Sequence, residues 1–225
     1  NAGLNYSQFW DGRADTLEEQ INGPINKPKV MASNWPDVIA QLKSDPGYVG
    51  EFNAIYNDGI TADNVRNAIA TFERSLNVVD SRFDQFLRGD KEAISKDELK
   101  GYELFKSYGC VACHQGQNVG GNMFQKFGIM DDYFADRSAV TRVDFGRFNV
   151  SGDEIDRHVF KVPSLRLAVL TAPYFHDGSA ETLDEAINVM ARYQLGRHIL
   201  DEDVELIIKF LGTLVGNYKG KPLRE

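Results

Sequence analysis

Residues 95–114 read SKDELKGYELFKSYGCVACH, and this stretch decides the fold. Its last five residues, Cys110 to His114, hold both cysteines of the chain, three positions apart, with a histidine directly after the second. On a helical turn, positions i and i+3 share a face. Both thiols can therefore reach one flat ring, and the adjacent imidazole can turn beneath it. This is the spacing of covalent c-type haem attachment, with Cys110 and Cys113 as thioether residues and His114 as an iron ligand. A redox CxxC would have no need of the histidine, and no thioredoxin-like βαβ pattern surrounds it. A zinc site would need two more convergent ligands, and there is no second cysteine pair.

The residues leading into the string agree with this reading. Leu99, Tyr102, Leu104 and Phe105 are spaced as one apolar face of a helix, with lysines and glutamates between them. Ser95 followed three residues later by Glu98 is a capping-box start. A helix running into CxxCH is the ordinary entry to a small cytochrome c.

A second axial ligand must come from farther along the chain. The methionines are Met31, Met123, Met130 and Met190. Met190 ends ETLDEAINVM, which starts with Thr182, Asp184 and Glu185 and reads as a helix. It is far enough downstream for the chain to wrap to the far face of the ring, whereas Met123 and Met130 lie close to His114. His176 and His198 compete, an open site is a further alternative, and Met190 could simply fill the core. A His/Met pair raises the potential and closes the iron to small substrates, which suits electron transfer.

Composition excludes several classes. The chain has 225 residues, with 25 Lys plus Arg against 33 Asp plus Glu, a net charge of −8. That sign argues against a phosphate-tracking nucleic-acid binder. No apolar run is long enough to span a membrane. No GxGxxG or GKS/T string follows a strand, so nucleotide binding has no support.

An internal repeat sets the domain organisation. FWDGRADTLEEQIN from Phe9 matches FHDGSAETLDEAIN from Phe175 at nine positions, among them Asp11/Asp177, Gly12/Gly178, Thr16/Thr182 and Glu19/Glu185. A weaker match aligns 63–76 with 202–215. Two related modules follow, residues 1–80 and 81–225. The second has its haem string before the repeated motif. The first has the motif at Phe9 without one, so its own string is expected before Asn1.

Together, QFWDGRA, GCVACH, GRF, VPSLR, LTAPYFHDGSAETLDEA, Met190 and QLGR resemble the bacterial di-haem cytochrome c peroxidases and their MauG-type relatives. The resemblance covers essentially the whole chain. It implies an all-α, cytochrome c-like fold of two related modules, the first lacking its haem-attachment segment. It implies that Cys110, Cys113, His114 and Met190 hold the high-potential electron-transfer haem, and that a second, peroxide-reducing haem lies upstream. Trp10 would be the inter-haem tryptophan, and Phe9 and Gln20 would line the peroxide side. The carbonyls of Thr171 and Pro173 would face an interdomain calcium. A small cytochrome c or cupredoxin would donate electrons, hydrogen peroxide would be the substrate, the location would be periplasmic, and a homodimer is common in the family. MauG-type enzymes have Tyr in place of Met190, which favours the peroxidase branch.

One departure stands out. The family's peroxide loop carries Glu just before its Met, but here NKPKVM places Val30 before Met31. That carboxylate would move a proton between the peroxide oxygens, a role commonly worth about 10²–10⁴-fold, and valine cannot replace it. An electron carrier without peroxide chemistry is therefore the alternative function. Trp35 is expected to start a helix with Pro36 in its first turn. His158 and His198 are expected at the surface, and His176 to bond a propionate or cap its turn. Residues 119–160 are expected to be a long, mostly irregular excursion over a haem edge.

Overall fold

The computed structural model describes residues 1–223. In chain order the helices are α1 (Leu17–Gln20), α2 (Asn22–Asn26), α3 (Trp35–Lys43), α4 (Pro46–Ile55), α5 (Ala62–Ser75), α6 (Arg82–Leu87), α7 (Lys96–Tyr108), α8 (Phe148–Ser151), α9 (Leu183–Val189) and α10 (Asp201–Gly212). Two small antiparallel pairs accompany them: β1 (Phe124–Lys126) with β2 (Val159–Lys161), and β3 (Asn217–Tyr218) with β4 (Lys221–Pro222). The fold is all-α.

Local chemistry explains the element starts. Ser95 caps α7 in a full capping box with Glu98, as the sequence predicts. Gly109 ends that helix in the left-handed conformation and turns the chain into the Cys110–Ala112 3₁₀ turn. Asn34 caps α3, and Pro36 sits in its first turn.

The two copies of the repeat are built alike. Phe9 and Phe175 both have positive φ, 65° and 71°, and Gly12 and Gly178 follow at 67° and 71°. Each turn is closed by one bridge, Gln8 with Ala14 and Tyr174 with Ala180. Thr16 and Thr182 accept from the N–H of Glu19 and Glu185. The carboxylates of Glu19 and Glu185 accept in turn from the N–H of Asp15 and Glu181, both at 2.8 Å.

The largest core joins α7 and α10 through Phe105, Ile207, Phe210 and Leu211, with Phe83 of α6 and Ile199 beside them. Gly101 permits the close crossing: a Cβ there would lie 1.9 Å from the Leu206 carbonyl oxygen. A second cluster packs Phe127, Tyr133, Phe134, Phe160 and Tyr193 against Met190. A third, in the N-terminal part, holds Leu17, Ile21, Ile25 and Ala70, with Trp35 packed on it.

The long segment 119–160 is mostly irregular, as expected, but β1, β2 and α8 punctuate it. His158 departs from its expected surface position. Its ring stacks on Phe134 at 3.9 Å, and its Nδ1 lies 2.7 Å from the Asp144 carbonyl. The aromatic partner lies 24 residues away in sequence, so local pattern gave no sign of it.

Candidate functional site

A single large cavity gathers the sequence-predicted haem residues. Cys110, Cys113 and His114 line it from the turn after α7, and Met190 lines it from the end of α9. Phe105, Ile207 and Leu211 supply apolar surface from α7 and α10, and Phe127, Phe160 and Lys161 from β2 and the end of β1. The empty space is about 1480 Å³, counting its open mouth.

Met190 is positioned by an irregularity in the helix. Residues Met190–Gln194 continue α9 as a π-helix. Such wider turns collect at functional positions because they re-aim side chains. The turn brings Met190 to the cavity while Ala191 and Tyr193 stay buried in the cores.

The donor atoms suit a covalent haem. Both cysteines are free thiols. His114 Nδ1 is buried without a hydrogen-bond partner among the described residues. Burial pushes the His114 pKa down to about 4, partly opposed by the nearby backbone of Pro163 and Val119. The imidazole is thus neutral at neutral pH, the form that binds iron. Burial likewise pushes the Cys110 thiol up to about 11.

Trp10 also lines the cavity, from the first copy of the repeat. It is 37% exposed and meets His176 edge-on at 6.5 Å between ring centroids. These two residues occupy the same position in the two copies, so the repeated turns meet at the cavity. Main chain ties the first turn to β2: the Lys161 N–H donates to the Trp10 carbonyl at 2.8 Å.

Phe9 and Gln20 are not brought to this cavity. Phe9 lies under the Arg13 guanidinium, 3.5 Å from its ring centroid, and packs over Gly23. Gln20 is half-buried at the end of α1. Thr171 and Pro173 are exposed and border the cavity. Val30 and Met31 are exposed in the loop after α2.

Several site residues escape sequence reasoning. Asp144 is 1% exposed and accepts from the Thr141 N–H at 2.6 Å, from Arg137 at 2.9 Å and from His176 Nε2 at 2.8 Å. Burial pulls this carboxyl up, but the hydrogen bonds from Thr141 and His176 and the Arg137 charge outweigh it and hold it below the usual carboxylate range. Arg137 also pairs with Asp177 at 2.6 Å. Asp144, His176 and Asp177 bring ligand atoms within 4.8 Å of one another, but the guanidinium already bonds both carboxylates. The cluster is an ion-pair network that fixes the His176 ring, which stacks on Phe160 at 4.4 Å. Lys161 is the other missed residue. Its only sequence signal is a lysine inside the apolar run Val159, Phe160, Val162.

The comparisons with known proteins agree with the geometry. A family model described as di-haem cytochrome c peroxidase matches residues 1–92. The cytochrome c551 peroxidase of Nitrosomonas europaea is 46% identical over 218 residues, which cover 96% of this chain and 64% of that protein. The cytochrome c peroxidase Ccp of Escherichia coli is 44% identical over 219 residues, covering 97% of this chain and 47% of that protein. The di-haem peroxidase BthA of Burkholderia thailandensis superposes with a TM-score of 0.73 at 18% identity, over 97% of this chain and 70% of that one. The chain belongs to the di-haem cytochrome c peroxidase and MauG family, and its fold is the all-α, cytochrome c-like one. It spans under two thirds of the length of the curated peroxidases it matches. The family implies haem as cofactor. No helix of the described residues is long and apolar enough to cross a membrane.

Proposed function

We propose that this chain carries the electron-transfer haem of a di-haem cytochrome c peroxidase and passes electrons to a peroxide-reducing haem beside Trp10. The observation that carries the reading is one cavity lined by Cys110, Cys113, His114 and Met190. When bound, the haem supplies reversible one-electron transfer. The chain's own residues do the rest. Cys110 and Cys113 would hold the haem covalently, and the neutral His114 imidazole and the Met190 thioether would be its iron donors. Apolar walls keep water from the ring. A thioether and an imidazole as the two donors would favour the reduced state, which would suit acceptance of electrons from a small cytochrome c or cupredoxin. Trp10 lines this cavity, and in this reading Phe9 and Gln20 line the peroxide side. The domains are read as 1–80 and 81–225, since the two large clusters draw on residues after 81 and the third on residues before 80. In this reading the carbonyls of Thr171 and Pro173 face a calcium ion. The setting is periplasmic, because thioether haem is attached outside the cytoplasm.

A second reading has a specific observation behind it. Val30 is exposed where a peroxidatic Glu would stand, so a carrier without peroxide chemistry is the alternative. The test has two stages. Haem per denatured chain is counted by pyridine haemochrome, with one expected for the wild type and none for Cys110→Ala/Cys113→Ala. Peroxide consumption by the half-reduced protein is then followed. A rate no better than that of free haem rejects the peroxidase and leaves the carrier. Absence of covalent haem in the wild type rejects both.

A further inference from the structure

Asp144 and Lys161 are the charged side chains among the fully buried residues described, and only Asp144 has a countercharge. Lys161 is 8% exposed. Its ammonium donates to the Ser7 carbonyl at 3.0 Å and forms no ion pair among the described residues. An ammonium has three N–H donors, so its hydrogen-bonding capacity is largely unused. An unpaired buried cation is unfavourable. Burial accordingly pushes the Lys161 pKa down to about 8.

The surroundings say which charge is wanted. Lys161 lines the cavity that also holds Cys110, Cys113, His114 and Met190. Lys126 lines it too, and no Asp or Glu does. Lys161 comes from β2, a different wall from the cysteine turn. A haem tied at Cys110 and Cys113 carries two carboxylates on the ring edge away from its thioethers. These are the anions that a cationic, carboxylate-free lining would complement.

We propose that the Lys161 ammonium is the ion-pair partner of a haem propionate and so links the haem to the turn that carries Trp10. The link is direct in the chain. The Lys161 side chain holds the Ser7 carbonyl and its main-chain N–H holds the Trp10 carbonyl, so one residue grips both ends of that segment. The inference rests on the covalent-haem reading and not on peroxide turnover.

The experiment compares haem-loaded wild type, Lys161→Gln and Lys161→Arg by spectroelectrochemical titration, with thermal unfolding in parallel. A cation beside the ring favours the reduced form. Lys161→Gln keeps an N–H for the Ser7 carbonyl but removes the charge. Its reduction equilibrium should fall about tenfold, a drop of about 59 mV for one electron. Lys161→Arg should restore most of it. If Lys161→Gln changes stability and leaves the potential within a few-fold of wild type, the lysine only straps Ser7 and the proposal is wrong. If the Gln variant does not fold, Lys161→Met takes its place, folded or refolded with haem. A Met variant at wild-type potential then overturns the proposal in the same way, and a Met variant with the tenfold fall supports it. A wild type without covalent haem overturns the earlier reading instead, so the two failures are distinct.

Discussion

α5 and α10 occupy matching places after the two copies of the repeat, yet one leaves much of its apolar stripe exposed and the other encloses it. On α10, Val204, Ile207, Phe210 and Leu211 are enclosed, largely by α7. On α5, Ile69 and Phe72 are exposed together with Leu76 just past its end, and Phe72 reaches 61%. Aligned residue for residue, Phe72 matches Leu211, which is 2% exposed. The stripe of apolar residues is present in both helices, but α1 packs only on the Ala70 side of α5 and leaves Ile69 and Phe72 uncovered, whereas α7 lies along the stripe of α10. An amphipathic face states that something should cover it; it does not supply the cover.

The turns before these helices show the opposite pattern. Backbone conformation, bridge and cap are reproduced, while the side chains at the meeting point diverge. Trp10 in the first copy faces His176 in the second. His176 is tied to a buried carboxylate, and the Trp10 ring is not. The same turn thus presents an indole on one side and a fixed imidazole on the other.

Three changes would break or sharpen this comparison. The largest effect is expected at Met190, which aligns with Pro24 in the first copy and lines the cysteine cavity in the second. Met190→His should lower the haem potential on the order of 0.2 V, within the range that axial ligands control. Redox titration measures it, and an unchanged potential would return Met190 to a packing role.

Asp144 comes next, as the group that sets His176 apart from Trp10. Asp144→Asn should destabilise the fold by about 3 kcal/mol near neutral pH, because Arg137 and the Thr141 N–H lose a buried charged acceptor. The Asp144 pKa is lower in the folded chain than in the unfolded one. Its stabilisation is therefore present above the unfolded value, roughly pH 4, and is lost as pH falls through the folded value. Urea unfolding at neutral and acidic pH should show the gap between variant and wild type narrowing in acid. A constant gap would mean that the carboxylate charge is not what matters.

The smallest effect tests the shared part. Thr16→Ala and Thr182→Ala should each destabilise by about 1 kcal/mol, the usual value of an N-cap. Similar losses in thermal unfolding would show one device used twice. A much larger loss at Thr182 would show that the Met190 turn depends on its cap.

The sequence made the cysteine-histidine wall of the cavity legible because CxxCH is a short-range pattern. Helix α7 was legible because its cap and its apolar spacing agree. The repeat announced the paired turns from Phe9 and Phe175. The short helices α2, α4, α6 and α8 were not legible. Pro46, Gly47 and Gly50 in α4 argue against a helix by propensity, and that helix buries no residue to give a period. His158 looked like a surface residue because its partner Phe134 lies in a loop without a pattern.

The sequence by itself determined the CxxCH string, its helix and the duplicated turn, since each depends on residues within a few positions of one another. Tertiary structure alone decided that Met190 reaches the cysteine cavity through a π turn and that Asp144 clamps His176 across 32 residues. It alone decided that Lys161 is buried without a countercharge among the described residues and that Trp10 meets His176 of the second copy. Those facts depend on which segments pack together, and a burial or a charge balance exists only after the chain has folded around it.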